Sequence, residues 1–378
     1  MKERILIAGG GIGGLALAAL LHRRGRECLV FERAARFDPV GAGIVIQPNA
    51  VRALRIGGIE EAIVNRGAPM ERMQIRDDRG RILSSIEGEV FRSRFGAGVF
   101  GFHRATLHAA LKALIPDSSI RLNAQVRAAG SGGGAPYVEL ADGERFEGAG
   151  LVGADGLHSA VRRELLREGE PRYSGYTSWR GVAFRGALWP KGQMSESWGR
   201  GARFGLVAID ADRLYWFATA NTGAGGRDHD KAELLRRFAA FHDPIRAVIE
   251  ATPDDAILRT DIADRDPIPK WSEDGITLLG DAAHPMTPNL GQGGGQAIED
   301  AVVLDLCLSA STDIAAAFRD YESRRRARTA RVVREARRFG RIGQLENAAA
   351  RWARNLAVRL TPTGATIRAL SWLYDFDV

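Results

Sequence analysis

The sequence predicts an α/β fold, a doubly wound sheet into which an antiparallel-sheet domain is inserted, followed by carboxy-terminal helices. Three observations predict it. An apolar run, Arg4-Ile5-Leu6-Ile7-Ala8, leads directly into Gly9-Gly10-Gly11-Ile12-Gly13-Gly14. A second glycine-rich stretch, Gly280-Asp281 through Gly295, stands late in the chain. Between them, residues 172 to 221 gather most of the aromatic side chains among short strand-like segments.

The amino terminus reads as strand, tight turn and helix. In G-x-G-x-x-G, Gly9 permits the turn, Gly11 lets backbone approach a pyrophosphate, and Gly14 allows the helix to pack on the strand; Gly13 completes the loop. Leu15 to Arg24 has helical character, and a second strand, Glu27 to Phe31, delivers Glu32 with Arg33 beside it. An acid at this spacing suits a ribose hydroxyl. Met1 to Leu21 superficially resembles an export signal, but five glycines and the preceding strand periodicity argue against one. No apolar run reaches the length of a membrane span. Cys28 in a strand and Cys307 in a helix lack metal or redox spacing, which points to buried thiols in a reducing cytoplasm.

The 378 residues, 45% hydrophobic, suffice for two or three domains. Net charge is +7, nearly all from arginine. The one dense run, Arg324-Arg325-Arg326-Ala327-Arg328, continues a helix carrying Asp320, Glu322 and Glu335, so a solvated helix face is expected. With no accompanying motif, nucleic acid is excluded as a partner.

Residues 37 to 49 are glycine-rich, then turn into Ile44-Val45-Ile46-Gln47-Pro48-Asn49, with a helix from Ala50 to Leu54. Residues 72 to 86 alternate as strands around Asp77-Asp78-Arg79-Gly80. His103 opens a helix to Leu114; Arg121 to Arg127 and Tyr137 to Leu140 read as strands, Gly130 to Gly134 as a loop tip, and Asp142-Gly143 as a hairpin turn. At 150 to 162 an apolar strand runs into Asp155-Gly156, and a helix starts near Ser159. That carboxylate either caps the helix or faces a ligand at the carboxyl edge of the sheet.

The aromatics of 172 to 221 are mostly core, with a few available to wall a ligand pocket. Residues 231 to 250 read as helical, 264 to 269 as a connection, and Ile276 to Leu279 as a strand aimed at Gly280-Asp281. Gly291, Gly293, Gly294 and Gly295 flank the helix start at Gln292, although glycine costs about 1 kcal/mol relative to alanine in a helix. They let a flat or anionic group approach the backbone. Amides there would stabilise negative charge on a reduced flavin ring, and Asp281 would accept from a polyol chain.

Together these three motifs resemble the class A flavoprotein monooxygenases, the para-hydroxybenzoate hydroxylase fold also found in salicylate hydroxylase, urate hydroxylase and zeaxanthin epoxidase. The resemblance spans essentially the whole chain. It implies a Rossmann-like FAD-binding domain from residues 1–71, 99–172 and 271–345, a substrate domain from 72–98 and 173–270, and carboxy-terminal helices at 346–378. It also implies that the first motif holds the ADP part of FAD, that Asp155 and Gly156 serve FAD and the nicotinamide donor, and that Asp281 holds the ribityl chain. Arg104 matches the family's FAD-contacting arginine, and Val45 and Val126 fall at further cofactor contacts. Pro288 matches the proline whose carbonyl lies near the reacting flavin edge.

The middle section is most similar to the urate and salicylate hydroxylase branch, through Arg172 to Tyr176, Gly201 to Phe204 and Arg213 to Phe217. Urate hydroxylase has an arginine and a tyrosine at positions matching Arg203 and Tyr215. Arg203 either binds an anionic substrate or orients the flavin, or is a strand-face arginine; Tyr215 either positions a ring oxygen or is core. His284 is expected to stabilise its loop rather than act as a base.

The implied chemistry is reduction of FAD by NADH or NADPH, formation of a carbon 4a hydroperoxide with dioxygen, and transfer of one oxygen atom to an aromatic or heteroaromatic small molecule. The rivals are epoxidation of a lipophilic substrate, or a reductase or dehydrogenase without oxygen insertion. The terminal helices, with Trp352, Leu356, Leu370 and Trp372, are expected to pack on the FAD domain rather than pair in a dimer or touch a membrane. A monomer or homodimer is expected.

Overall fold

A computed structural model describes residues 4–37, 42–131, 134–226 and 231–378. Met1 to Glu3, residues 38 to 41 of the glycine-rich stretch, and Gly132 and Gly133 of the expected tip lie outside the described residues.

A five-stranded parallel sheet runs in the order Ile276–Leu278, Gly150–Gly153, Ile5–Ala8, Cys28–Phe31, Ile120–Arg121. In its first four strands every residue is buried, the apolar signature of a sheet covered on both faces. Register makes the site: Ala8 is level with Phe31 on one side and Gly153 on the other, and Gly153 is level with Leu278. The residues that follow these strand ends, Gly9, Glu32, Asp155 and Asp281, therefore emerge at one carboxyl edge. Two helices, Ile12–Arg23 and Gly293–Ala310, pack together through small residues; a Cβ on Gly13 would stand 3.1 Å from that of Ala297.

The second large sheet has seven strands, in the order Leu258–Asp264, Arg172–Phe184, Arg213–Asn221, Ala202–Ala208, Gln193–Trp198, Arg72–Asp77, Ile82–Glu87. Pairing is antiparallel except between Gln193–Trp198 and Arg72–Asp77. Alternation divides it into two faces. One buries Trp179, Phe204 and Trp216 under Leu234, Phe238 and Val248. The other presents Met73, Val182, Met194, Val207, Tyr215 and Phe217 towards Met286 and Leu290 of the late glycine loop.

Several expectations need correction. Arg121 to Arg127 is not one strand: Ile120–Arg121 ends the parallel sheet and Val126–Gly130 starts a three-stranded one, with Asn123 in the left-handed region (φ 53°) turning the chain between them. Residues 231 to 250 form two helices, Lys231–Arg237 and Ile245–Ala251, because Pro244 forces the residue before it out of helical geometry. Residues 88 to 95, for which the sequence predicts no element, form the helix Gly88–Phe95. The arginine run in Ile314–Gly343 is a solvated face only in part: Arg324 and Arg326 are exposed, but Arg325 is 2% exposed.

The terminal helices divide. Thr363–Tyr374 packs on the protein, but between Pro48–Ile56 and the 82–95 segment rather than on the FAD part alone, burying Ile367, Leu373 and Tyr374 beside Phe91 and Phe95. Ala348–Leu360 does the reverse: it buries Arg354 and leaves Trp352 68% and Leu360 70% exposed. Of the inward arginines, Arg354 donates to the carbonyls of Ile342 and Gly343 and Arg351 to Asp78, while Arg354 Nη2 and Arg351 Nε have no partner among the described residues.

Candidate active site

At the first glycine loop each glycine has a separate physical reason. Gly9 has φ 104°, and a Cβ there would overlap the carbonyl of Ala154; one on Gly14 would overlap the carbonyl of Gly9. At Gly11 no protein atom lies within 4 Å of the Cβ position. Gly11 is also the N-cap of Ile12–Arg23, which has no side-chain cap and no acid in its first turn. Its amides and helix dipole therefore face the open side of the loop, a site for a diphosphate. Gly13 instead packs against Leu279 and Ala297.

Glu32 reaches into this loop, accepting from the Gly10 amide at 2.9 Å and, through its other oxygen, from Ala34 at 2.9 Å. Arg33 beside it is exposed. Val126 is partly buried against the parallel-sheet core, two residues past Ala124, whose amide donates to the Glu32 carbonyl at 2.8 Å. Sequence reasoning missed His108, whose Nε2 lies 2.6 Å from the Gly10 carbonyl. Asp155 accepts from the Ala160 amide at 2.7 Å and from the Ser159 hydroxyl, so its carboxylate caps the helix beside Gly9. Burial pushes that carboxyl up.

At the second loop Asp281 is exposed, yet the protein around the turn pushes its carboxyl up by desolvation, opposed by the charges of His284 and Arg104. Arg104, exposed at the start of Arg104–Lys112, thus acts electrostatically on Asp281 across the cleft. The Asp281 carboxylate lies 3.9 Å from the Cβ position of Gly293. The helix Gly293–Ala310 also starts with no side-chain cap and no acid in its first turn. Gly291 takes φ 62°, a Cβ on Gly294 would stand 2.8 Å from the Ile44 side chain, and Gly295 has ordinary clearance. The Gln292 side chain is turned inward, bonded to Gln47, Asn49 and Gln296. Two uncapped, glycine-rich helix starts, an acid for each end and Arg104 together fit an elongated anionic dinucleotide.

Behind Asp281 lies a buried network that the sequence did not disclose. Asp300 accepts from the Gly280 amide at 3.0 Å, is 2.5 Å from His284 Nε2, and takes Arg325 Nε at 2.6 Å. Glu299 binds Arg325, Arg328 at 2.8 Å and Asn49 at 2.6 Å. Burial alone would raise both acids; the charges of His284 and Arg325 at Asp300, and of Arg325 and Arg328 at Glu299, outweigh it and hold both below the usual carboxylate range. His284 therefore ties the Gly280–Ala282 turn to the helix. The available signal was the pair Glu299-Asp300 inside an otherwise apolar helix.

On the sheet side, Tyr215 is 8% exposed, and its ring covers Gly43 so closely that no Cβ would fit there. Its hydroxyl has no hydrogen-bond partner among the described residues, and burial pushes its pKa up, so it stays protonated. Val45, on the strand Gly43–Ile46, packs in the same cluster. Arg203 is 2% exposed, donating to Glu196 at 2.9 Å and to Asn289, the residue after Pro288. Asn289 in turn donates to Thr287 at 2.8 Å and to the Ala336 carbonyl at 2.9 Å. Arg203 thus braces the Pro288 turn, and Tyr215 stands on the apolar face opposite Met286 and Leu290.

Comparison with known proteins agrees with this geometry. Residues 2–336 match the model of the FAD binding domain family. The chain is 48% identical over 358 residues to aurachin C monooxygenase/isomerase of Stigmatella aurantiaca, covering 94% of each chain. It is 34% identical over 341 residues to the FAD-dependent urate hydroxylase of Klebsiella pneumoniae, covering 89% of each. The crystal structure of Klebsiella pneumoniae HpxO complexed with FAD and uric acid superposes with a TM-score of 0.92 at 30% identity, over 98% of this chain and 97% of that one. The chain belongs to the FAD binding domain family, as an FAD-dependent monooxygenase of its aromatic and heteroaromatic hydroxylase branch.

Proposed function

We propose that this monooxygenase acts on a lipophilic heteroaromatic ring and that NADH or NADPH reduces its FAD. The observation that carries the substrate reading is the composition of the sheet face opposite the Pro288 loop. Met73, Val182, Met194, Phe217, Met286 and Leu290 surround Tyr215, giving a polarizable apolar wall with one free hydroxyl donor. The 48% identity to an enzyme named for aurachin C supports the same reading and makes that compound the first to test.

In this reading FAD lies along the carboxyl edge of the parallel sheet. Gly9, Gly11 and Gly14 shape the diphosphate loop, and Glu32, with Arg33 and Val126 nearby, serves the adenosine end. Arg104, Val45, Asp155, Asp281 and the Gly291 to Gly295 amides serve the middle and flavin end. The FAD-binding part is drawn from residues 1–71, 99–172 and 271–345. When bound, FAD supplies the oxygen-activating chemistry. The protein's part is to orient the ring through Tyr215 and the Pro288 carbonyl, and to keep water out with the apolar wall. A cleft beside the Asp155 turn, lined by Arg163 and Arg265 and also by Glu168 and Glu170, is the place to look for the nicotinamide donor. The unpaired, buried Cys28 and Cys307 support a cytoplasmic setting.

The test is anaerobic flavin reduction by NADPH or NADH, with and without aurachin C, hydroxylated aromatic acids and purines, followed by oxygen and mass spectrometry. A compound that accelerates bleaching and gains the mass of one oxygen atom is the substrate. Preference for polar acids or purines over aurachin C would overturn the lipophilic reading.

A further inference from the structure

The helix Ala348–Leu360 is turned inside out relative to an ordinary surface helix. Its inward stripe is Arg351 and Arg354, held by Asp78 at 2.5 Å and by the carbonyls of Ile342 and Gly343 at 3.2 and 3.1 Å, with the Arg354 guanidinium over the Trp198 ring. Its outward stripe, at four-residue spacing, is Trp352, Leu356 and Leu360, exposed by 68%, 37% and 70%. Ile342, just before this helix, and Ile82, on the edge strand it lies against, are also exposed. Isolated apolar side chains need no explanation, but a contiguous apolar stripe on a helix that buries its cations does.

Charge decides what covers it. Of the four arginines between residues 347 and 374, Arg351 and Arg354 face inward and Arg359 and Arg368 are exposed; the stretch holds no aspartate or glutamate, the flanking acids being Glu346 and Asp375. Arg341, Arg359 and Arg368 are exposed and make no ion pair among the described residues. Arg359 follows Trp352 by two helical turns and so shares its face. A self-complementary contact through this face would gather the exposed Arg359 of both copies into one interface with no acid between residues 347 and 374 to pair them, which disfavours a second copy. A bilayer with anionic headgroups satisfies both features, apolar side chains entering the interface and arginines meeting phosphates. No helix among the described residues is long and apolar enough to cross a membrane, so contact would be superficial.

We propose that Trp352, Leu356 and Leu360, with Arg341, Arg359 and Arg368, form a docking surface for an anionic lipid bilayer. The inference stands apart from substrate identity but has a bearing on it. The next helix, Thr363–Tyr374, buries Ile367, Leu373 and Tyr374 in the apolar cluster that contains Tyr215, Met286 and Leu290. The helix after the docking surface is thus tied into the same apolar cluster as the candidate substrate wall.

The test is cosedimentation of the FAD-loaded full chain with vesicles of phosphatidylcholine alone, or of equal parts phosphatidylcholine and phosphatidylglycerol. Binding is expected to the mixed vesicles, weakened by salt. It should be lost in W352S/L356S/L360S and reduced about thirtyfold in R359Q/R368Q, with flavin content unchanged in both. Failure to bind the anionic vesicles, or binding indifferent to both sets of substitutions, overturns the proposal. Concentration-dependent dimerisation abolished by Trp352→Ser would also overturn it, in favour of a second copy.

Discussion

Arg203 donates a hydrogen bond to the side-chain oxygen of Asn289, joining the seven-stranded sheet to the loop that carries Pro288. Both residues are buried, and Arg203 meets Glu196 with its other terminal nitrogen. Arg203→Ala leaves Asn289 and Glu196 short of a donor, worth about 1.5–3 kcal/mol. If that loss appears as misplacement of the loop, turnover falls roughly ten- to hundredfold while bound flavin per protein stays near the parent value. Arg203→Lys recovers little, because an ammonium cannot bridge both partners as a guanidinium does. Steady-state kcat alongside flavin content checks this, and flavin loss equal to the activity loss refutes it.

Gly11 and Gly14 separate cofactor binding from folding. A Cβ at Gly11 meets no protein atom, whereas one at Gly14 overlaps the Gly9 carbonyl. Gly11→Ala should fold normally and lose FAD affinity; Gly14→Ala should yield little soluble protein. Circular dichroism and flavin titration distinguish them, and full FAD affinity in Gly11→Ala would remove the diphosphate from that loop.

Asp281→Ala should weaken FAD binding on the order of ten- to hundredfold, the value of a hydrogen bond to a charged acceptor. The FAD-free protein should melt near the parent temperature, because the exposed Asp281 side chain makes no hydrogen bond or ion pair among the described residues. Lost flavin affinity with an unchanged melting temperature is the expected signature; a destabilised FAD-free variant counts against it.

Arg325 is the hinge of the buried network. Arg325→Met leaves Asp300 without its guanidinium and Glu299 with Arg328 alone, a loss of about 3–5 kcal/mol by analogy with other broken buried pairs. Adding Glu299→Gln and Asp300→Asn should recover part of it. Urea denaturation measures both, and a single variant as stable as the parent would show the network to be dispensable.

Its acids also set the pH response. Glu299 and Asp300 titrate below the usual carboxylate range, so the stability they contribute is complete above an unfolded pKa of about 4. It is lost as pH falls from there through their depressed folded values. Melting temperature should therefore drop below about pH 4, and the Glu299→Gln/Asp300→Asn variant should show a shallower drop.

Much of this was legible because it is local. A strand, a glycine that must turn and a helix that must pack close are decided within a dozen residues, so the 5–23 and 276–295 units could be read directly. Arg325 could not: Arg324 to Arg328 looks the same whether solvated or buried, since its acids lie on another helix. Ala348–Leu360 failed for a related reason. Periodicity shows that a helix has two faces but not which is covered, and an arginine face with carbonyls and Asp78 waiting for it can be the inner one. Asp155 was ambiguous in sequence because capping and ligand contact require the same carboxylate at the same strand end.

The contrast between the two walls of the cleft bears on how such an enzyme changes over generations. Met73, Met194 and Met286 on the sheet side are flexible apolar fillers, and single exchanges among residues of similar volume there cost little. Behind Asp281, Glu299 and Asp300 are neutralised by Arg325 and Arg328, so replacing either acid or Arg325 alone unbalances buried charge. Mutation can thus explore new ring substrates in single steps, while the cofactor half changes only when several substitutions arrive together.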